Sequence, residues 1–395
     1  MRVLMLSWEY PPLVVGGIAA HVDGLARALV RAGHEVVVFS LATPDCDDDT
    51  ATDGVRVVRA NIDLPWLPDD NLIGQMASAN HHLTQLVTSL GDWRPDIVHA
   101  HDWLVAWAGD TIATLTGAPL VATIHATERG RHGGHLPHGT PAAINSIEWW
   151  LTYQARSVIC CSNFMVRELL NHFELPTDKV HRVPNGVDLD VWAPPSGGAG
   201  ALGGGAALDP GEASLVVAWG RVQYEKGFQV LVRAIGALRD RGTDAPCIIA
   251  GRGSYLAELQ SLIDTEGLGD RVQLAGFVAD DELRALLHRA AVAVIPSLYE
   301  PFGIVALEAM AAGVPTVVAA TGGLAETVRD TGAGLLFEPG NHHDLATQIG
   351  TVLDDPTVSR SLRSRAADVI GQYTWDAIAA STAAVYDATL HIDAT

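Results

Sequence analysis

The chain has 395 residues, 48% of them apolar and 18% charged, which supports large buried cores and excludes a disordered or collagen-like chain. At roughly 150 residues per domain, this length predicts two domains. With 25 basic against 46 acidic residues the formal charge is −21, a field that repels nucleic acid and anionic lipid and excludes both as partners.

In the first half, short apolar runs predict strands at Arg2–Ser7, Glu35–Ser40, Val55–Arg59, Ile97–Ala100, Leu120–His125 and Ser157–Cys161. In the second half the same pattern recurs at Ser214–Gly220, Cys247–Gly251, Val272–Gly276, Ala291–Pro296, Thr316–Ala319 and Gly334–Phe337. Runs of Val, Ile and Ala without polar alternation suit strands buried on both faces of a parallel sheet. Helical spacing lies between them, as at His21–Ala32, Phe228–Arg241 and Asp280–Ala290. An α/β fold of two βαβ sets follows, one over residues 1–192 and one over 214–373. The segment 193–213, rich in Gly, Pro and Ala, reads as a linker or surface loop. Its Gly198, Gly200 and Gly203 match a dinucleotide fingerprint, but no strand precedes them and no helix follows, so a dehydrogenase is not expected. Thr374–Leu390 has helical apolar spacing, with Thr374 as its N-cap.

No apolar run is long enough to span a membrane, and no signal-type segment opens the chain. Cys46, Cys160, Cys161 and Cys247 have no metal-type spacing and read as reduced thiols. A soluble, cytoplasmic protein is expected.

Of the 25 basic residues only Lys179 and Lys226 are lysine. Lys226 closes the turn GRVQYEKG after a predicted strand, with Arg221 at its start. The next strand but two leads into SLYEPFGIVALEAMAAG, with Glu300 in a loop and Glu308 in a helix that begins near Gly303. Such a helix start offers free N–H groups and a dipole to an anion. Gly303 permits close approach of a phosphate, Glu308 can accept hydrogen bonds from a ribose diol, and Arg221 with Lys226 can neutralise a diphosphate. The glycine-rich turn Ala320–Glu326 lies on the same carboxyl edge of the sheet, where open α/β sheets bind ligands. Lys179 lacks such company and reads as a surface residue.

In the first half Gly16 and Gly17 precede a helix from about Ile18. His99, His101 and Asp102 follow one strand and His125 ends another, each poised either for a crevice or for satisfied burial. His132, His135 and His138 have metal-like spacing, but they lie in a glycine-rich loop without apparent carboxylates, and no metal site is expected. Asp45, Asp47, Asp48 and Asp49 read as an acidic surface loop.

In chain order the strings SWEYPP with Gly16-Gly17, HAHDW, TIHATE, NGVD, GRVQYEKG and EPFGIVALEA run from Met5 to about Trp375. Together they resemble the family-4 retaining glycosyltransferases, the GT-B group close to glycogen synthases. The combination of SWEYPP, HAHDWLV and TIHATE is most similar to actinobacterial α-1,4-glucosyltransferases. The resemblance implies two Rossmann-like domains facing a cleft, an acceptor domain followed by a nucleotide-sugar domain, with the final helix returning to the first. It implies a donor diphosphate held by Arg221 and Lys226, donor-sugar hydroxyls contacted by Glu300, and a ribose held by Glu308. Backbone N–H groups of Gly303 and Ile304 would meet phosphate, and Gly16 and Gly17 would pass close to it. His125 would lie beside the transferred sugar, Asp102 between donor sugar and acceptor, and Phe277 near the nucleobase. The implied substrates are ADP-glucose or UDP-glucose and a glucan or oligosaccharide acceptor, with no cofactor and no metal. Bacterial glycogen synthases read Lys-x-Gly-Gly-Leu-Ala-Asp at the first loop, whereas Val14–Ala20 here lacks both the lysine and the aspartate. The nucleobase, another sugar such as mannose, a disaccharide product, a sugar-nucleotide epimerase and a non-catalytic glucan-binding protein all remain open at this point.

Overall fold

The computed structural model describes residues 1–44, 46–62, 67–68, 70–193 and 214–392. Asp45 and nearly all of the predicted linker at 193–213 lie outside the described residues. The chain divides into two compact units, Met1–Gly186 with Trp375–Thr395, and Val187–Thr374.

The first unit is built on eight strands: β1 (Arg2–Ser7), β2 (Glu35–Leu41), β3 (Asp49–Thr52), β4 (Val55–Ala60), β5 (Ile97–His101), β6 (Leu120–Ile124), β7 (Ser157–Cys160) and β8 (Val180–Arg182). Their order is β3-β4-β2-β1-β5-β6-β7-β8, and every pair is parallel except β3 with β4. Central strands such as β5 and β6 are buried along their whole length, as Val- and Ile-rich runs without alternation require. β3 corrects the reading of Asp49 as loop. Arg56 of β4 forks onto the Asp49 carboxylate at 3.0 and 2.6 Å, and that pair ties DTAT to the sheet edge.

The helix Gly17–Arg31 turns Val22, Leu25, Ala26 and Leu29 into this core, and the helix Trp375–His391 packs against it. Gly24 makes that packing possible: a Cβ there would lie 2.2 Å from the Trp375 indole. Tyr386 then reaches the sheet, its hydroxyl 2.7 Å from His99 Nδ1, while His99 Nε2 lies 2.7 Å from Thr123 Oγ1. Tyr386→Phe should therefore cost about 1–3 kcal/mol by leaving a buried imidazole nitrogen unpaired. Urea unfolding measures this loss, and an unchanged midpoint would count against the pairing.

The second unit has six strands: β9 (Val216–Trp219), β10 (Cys247–Ala250), β11 (Val272–Gly276), β12 (Val292–Ile295), β13 (Thr316–Ala319) and β14 (Gly334–Phe337). Their order, β11-β10-β9-β12-β13-β14, is parallel throughout and reverses between β9 and β12. That is the doubly wound arrangement whose carboxyl-edge crevice opens at the reversal. The first unit ends at Gly186 rather than at Trp192. Val187 N donates to Tyr373 O at 2.8 Å, and Trp192 packs into the second unit, its carbonyl 3.2 Å from His288 Nε2. Among the described residues no helix is long and apolar enough to cross a membrane, and Cys46 and Cys247 are free thiols.

Candidate active site

The second unit places its chemistry at the reversal. After β9 the chain makes a tight turn through Arg221 and a 3-10 turn at Tyr224–Lys226, ending at Gly227 with φ +72. Gly227 is forced on two counts, because it sits in the left-handed region and a Cβ would lie 1.9 Å from Pro296 O. The turn after β9 thus presses directly on the turn after β12, and Leu298 N donates to Glu225 O at 2.7 Å. This contact brings Lys226 Nζ to 2.8 Å from Glu300 Oε2, with Ser297 Oγ donating to the same oxygen at 3.3 Å. Neither partner is fully covered: 23% of the Lys226 side chain and 12% of that of Glu300 stay exposed. An ammonium has three donors, so Lys226 keeps bonding capacity for an anion. Arg221, at the mouth of the same turn, is exposed and has no side-chain partner among the described residues.

Gly303 adopts φ +94 and leads into the helix Ile304–Ala311, whose first N–H groups are free of side-chain caps. The third turn joins the cluster through Gly323 N, which donates to Glu300 O at 3.1 Å, and Thr321 Oγ1, which donates to Leu298 O at 3.1 Å. Glu308 lies one turn into the helix and accepts a 2.9 Å hydrogen bond from Trp219 Nε1 at the end of β9. Loss of water pushes its carboxyl up to about 7, although the Trp219 bond works in the opposite direction. Phe277 follows β11 and is 65% exposed, with the Arg252 guanidinium 5.0 Å from its ring centroid. This gives a flat aromatic face backed by a cation. Trp219, Arg252 and Ser297 escape the sequence reading, although Arg252, two residues past a strand in GRGS, carries the same positional signal as Arg221.

In the first unit, the Glu9 carboxylate accepts hydrogen bonds from the N–H groups of Val15 and Gly16, the latter at 2.8 Å. It shapes the loop that leads through Gly16 into the helix starting at Gly17. Asp102 follows β5 at φ 68 and ψ 173, a region nearly restricted to glycine, which costs of order 1–3 kcal/mol. Bonds from Asp102 N to Thr123 O and from Trp103 N to Asp102 Oδ1, both 2.9 Å, hold that conformation. Burial pushes the Asp102 carboxyl up to about 6, and burial beside Asp102 pushes Glu148 up to about 9. His125 follows β6, stacks on His101 with centroids 5.6 Å apart and meets His21 edge-on at 4.7 Å. Burial lowers the pKa of each of these imidazoles, so they are neutral at pH 7. His21 and Glu148 escape the sequence reading because helices turn them inward from distant positions, and Glu9 because it folds back from the loop after β1.

One sequence expectation changes: His132 does have a carboxylate partner, with Nε2 3.2 Å from Glu128 Oε1. Lys179 is half-buried at the surface, with Nζ donating to Tyr153 O at 2.8 Å.

Residues 15–191 match the Glycosyltransferase Family 4 domain, and residues 207–369 match Glycosyl transferases group 1. The chain is 38% identical to a glycogen synthase of Mycobacterium tuberculosis, covering 98% of this chain and 94% of that one. It is 31% identical to a D-inositol 3-phosphate glycosyltransferase of Streptomyces scabiei, covering 99% and 92%. The structure superposes on sucrose-phosphate synthase from Thermosynechococcus elongatus with a TM-score of 0.81 at 24% identity, covering 98% of each chain. Two parallel-sheet units and full-length relatives above 30% identity show that the chain belongs to the family-4, group 1 glycosyltransferases of GT-B fold, and that it is a hexosyltransferase.

Proposed function

We propose that the chain moves an α-glucosyl unit, with retention, from ADP-glucose or UDP-glucose to a glucan or oligosaccharide acceptor, forming an α-1,4 link. The observation that carries this reading is the Lys226–Glu300 pair beside the Gly303 helix start and Glu308 at the sheet reversal. The likeness to a protein named glycogen synthase supports glucose and glucan. In this reading Arg221, Lys226 and the N–H groups of Gly303 and Ile304 hold the diphosphate, with Gly16 and Gly17 near it. Phe277 covers the base, Glu308 takes the ribose, Glu300 and His125 contact the sugar, and Asp102 lies towards the acceptor. The bond from the anomeric carbon to the phosphate oxygen breaks while an acceptor hydroxyl bonds to the same face. The hydroxyl proton passes to the leaving phosphate. Two cations and a helix start stabilise the charge on that group as it develops.

A donor competition between ADP-glucose and UDP-glucose with a maltooligosaccharide acceptor tests the assignment. Acceptor-dependent release of nucleoside diphosphate and an α-1,4 product by NMR are expected. Another transferred sugar, or donor turnover without a new glycosidic bond, would overturn it. The relatives named D-inositol 3-phosphate glycosyltransferases favour a phosphorylated inositol as the second acceptor class to assay.

Glu308 yields a proton-linkage prediction. Ribose hydroxyls donating to the carboxylate favour its charged form, so binding should lower a pKa that starts near 7. Nucleoside diphosphate should bind more tightly as pH rises through that value and release a proton below it. Calorimetry in buffers of different ionisation enthalpy detects that proton, and Glu308→Gln should abolish it. A release equal in both proteins would remove Glu308 from the ribose.

A further inference from the structure

Four histidines converge beneath the first sheet's carboxyl edge, and their hydrogen bonding is unequal. His99 uses both ring nitrogens, on Tyr386 and Thr123, at 2.7 Å each. His21 Nδ1 and His101 Nε2 are buried and have no hydrogen-bond partner among the described residues. One nitrogen each from His21, His101 and His125 lies within 4.8 Å of the other two. Buried nitrogens are nearly always paired, so two orphans within one histidine cluster call for a further ligand there.

The ligand chemistry narrows what that occupant is. All three groups are imidazoles without a carboxylate among them, and burial keeps them neutral with lone pairs available. Such a set suits borderline divalent ions such as zinc, copper or nickel, and not magnesium or calcium. Four-coordinate zinc has Zn–N bonds of about 2.0–2.1 Å, which sets ligand nitrogens roughly 3.4 Å apart. His101 Nδ1 and His125 Nε2 already lie 3.4 Å apart, and closing the remaining spread takes small rotations of the rings.

We propose that His21, His101 and His125 form a binding site for a borderline divalent transition metal, zinc foremost, with its fourth position open to water. Resting on the reading above, in which His125 faces the transferred sugar, the metal would act as an inhibitor of transfer, since coordination withdraws that imidazole.

The test uses the full chain, stripped with chelator and without donor or acceptor, so that its outcome is independent of the glycosyl-transfer reading. Zinc titration against a chromophoric chelator should give one tight site per chain, and Co2+ should give the intense visible bands of four-coordinate geometry. His101→Gln and His21→Asn should each weaken zinc about 100-fold or more, with folding checked by circular dichroism. The paired change His132→Ala and His135→Ala, in the exposed loop, should leave binding unchanged. No tight zinc site, six-coordinate cobalt bands, or loss of zinc with the loop variant in place of the buried ones would overturn the proposal. The cobalt spectrum and the loop variant decide even if the buried variants fail to fold.

Discussion

Lys226→Ala is expected to lower kcat by about 10²–10³-fold while leaving the fold intact, because it removes one preorganised donor from the charge that develops on the departing diphosphate. The two halves of that expectation have separate physical origins. The Lys226–Glu300 pair is partly exposed, with 23% and 12% of the side chains open to water, and such pairs contribute at most about 1 kcal/mol to stability. Glu300 also keeps its Ser297 contact when the ammonium is gone. In the transition state the same ammonium faces a full leaving-group charge, and the −21 charge of the chain supplies no replacement at long range. Lys226→Arg should recover little, because a planar guanidinium does not reproduce the compact ammonium beside Glu300. Steady-state kinetics separate the effects: kcat and kcat/KM fall together when an interaction belongs to the transition state. Near-normal turnover by the alanine variant would refute the assignment of Lys226 and with it the proposed donor site.

Much of the fold is legible in the sequence because doubly buried strands leave an unmistakable record. Runs such as VVAW and LVATI must be apolar on both faces, and they recur between amphipathic helices. β3 and β8 leave no such record: DTAT is exposed at an antiparallel edge, and VHR has one buried residue. The first unit's limit at Gly186 was likewise illegible, since it depends on Val187 bonding to Tyr373 across most of the second half of the chain. For the site, position could be read but partnership could not. Lys226 and Glu300 each stand out at a strand end, whereas their meeting depends on two turns that touch only in the folded sheet. Trp219 and Glu308, or His99 and Tyr386, are joined by burial over long sequence separations, and no local spacing encodes that.

Gly227→Ala is expected to do what Lys226→Ala does not, unfolding the second unit some 10 °C earlier and disabling transfer as well. A non-glycine residue at φ +72 costs roughly 1–2 kcal/mol, and forcing a methyl to within 1.9 Å of Pro296 O adds a further 1–3 kcal/mol. A domain of this size loses about 2–4 °C per kcal/mol, so a total near 3 kcal/mol gives the stated shift. The backbone can relieve the clash only by separating the turn after β9 from the turn after β12. That separation breaks the Leu298–Glu225 bond and moves Lys226 away from Glu300. Gly269→Ala is the matched control, since a Cβ there meets nothing within 4 Å and its φ lies outside the left-handed region. Calorimetry and kcat measured on both variants decide between two accounts of the turn. If Gly227→Ala melts like Gly269→Ala, the close approach of the two turns is not what presents the lysine. If it melts early while the surviving folded fraction turns over donor normally, the approach supports the sheet and not the chemistry. Loss of both together is the result that ties the close approach of these two turns to the placement of the second unit's one lysine.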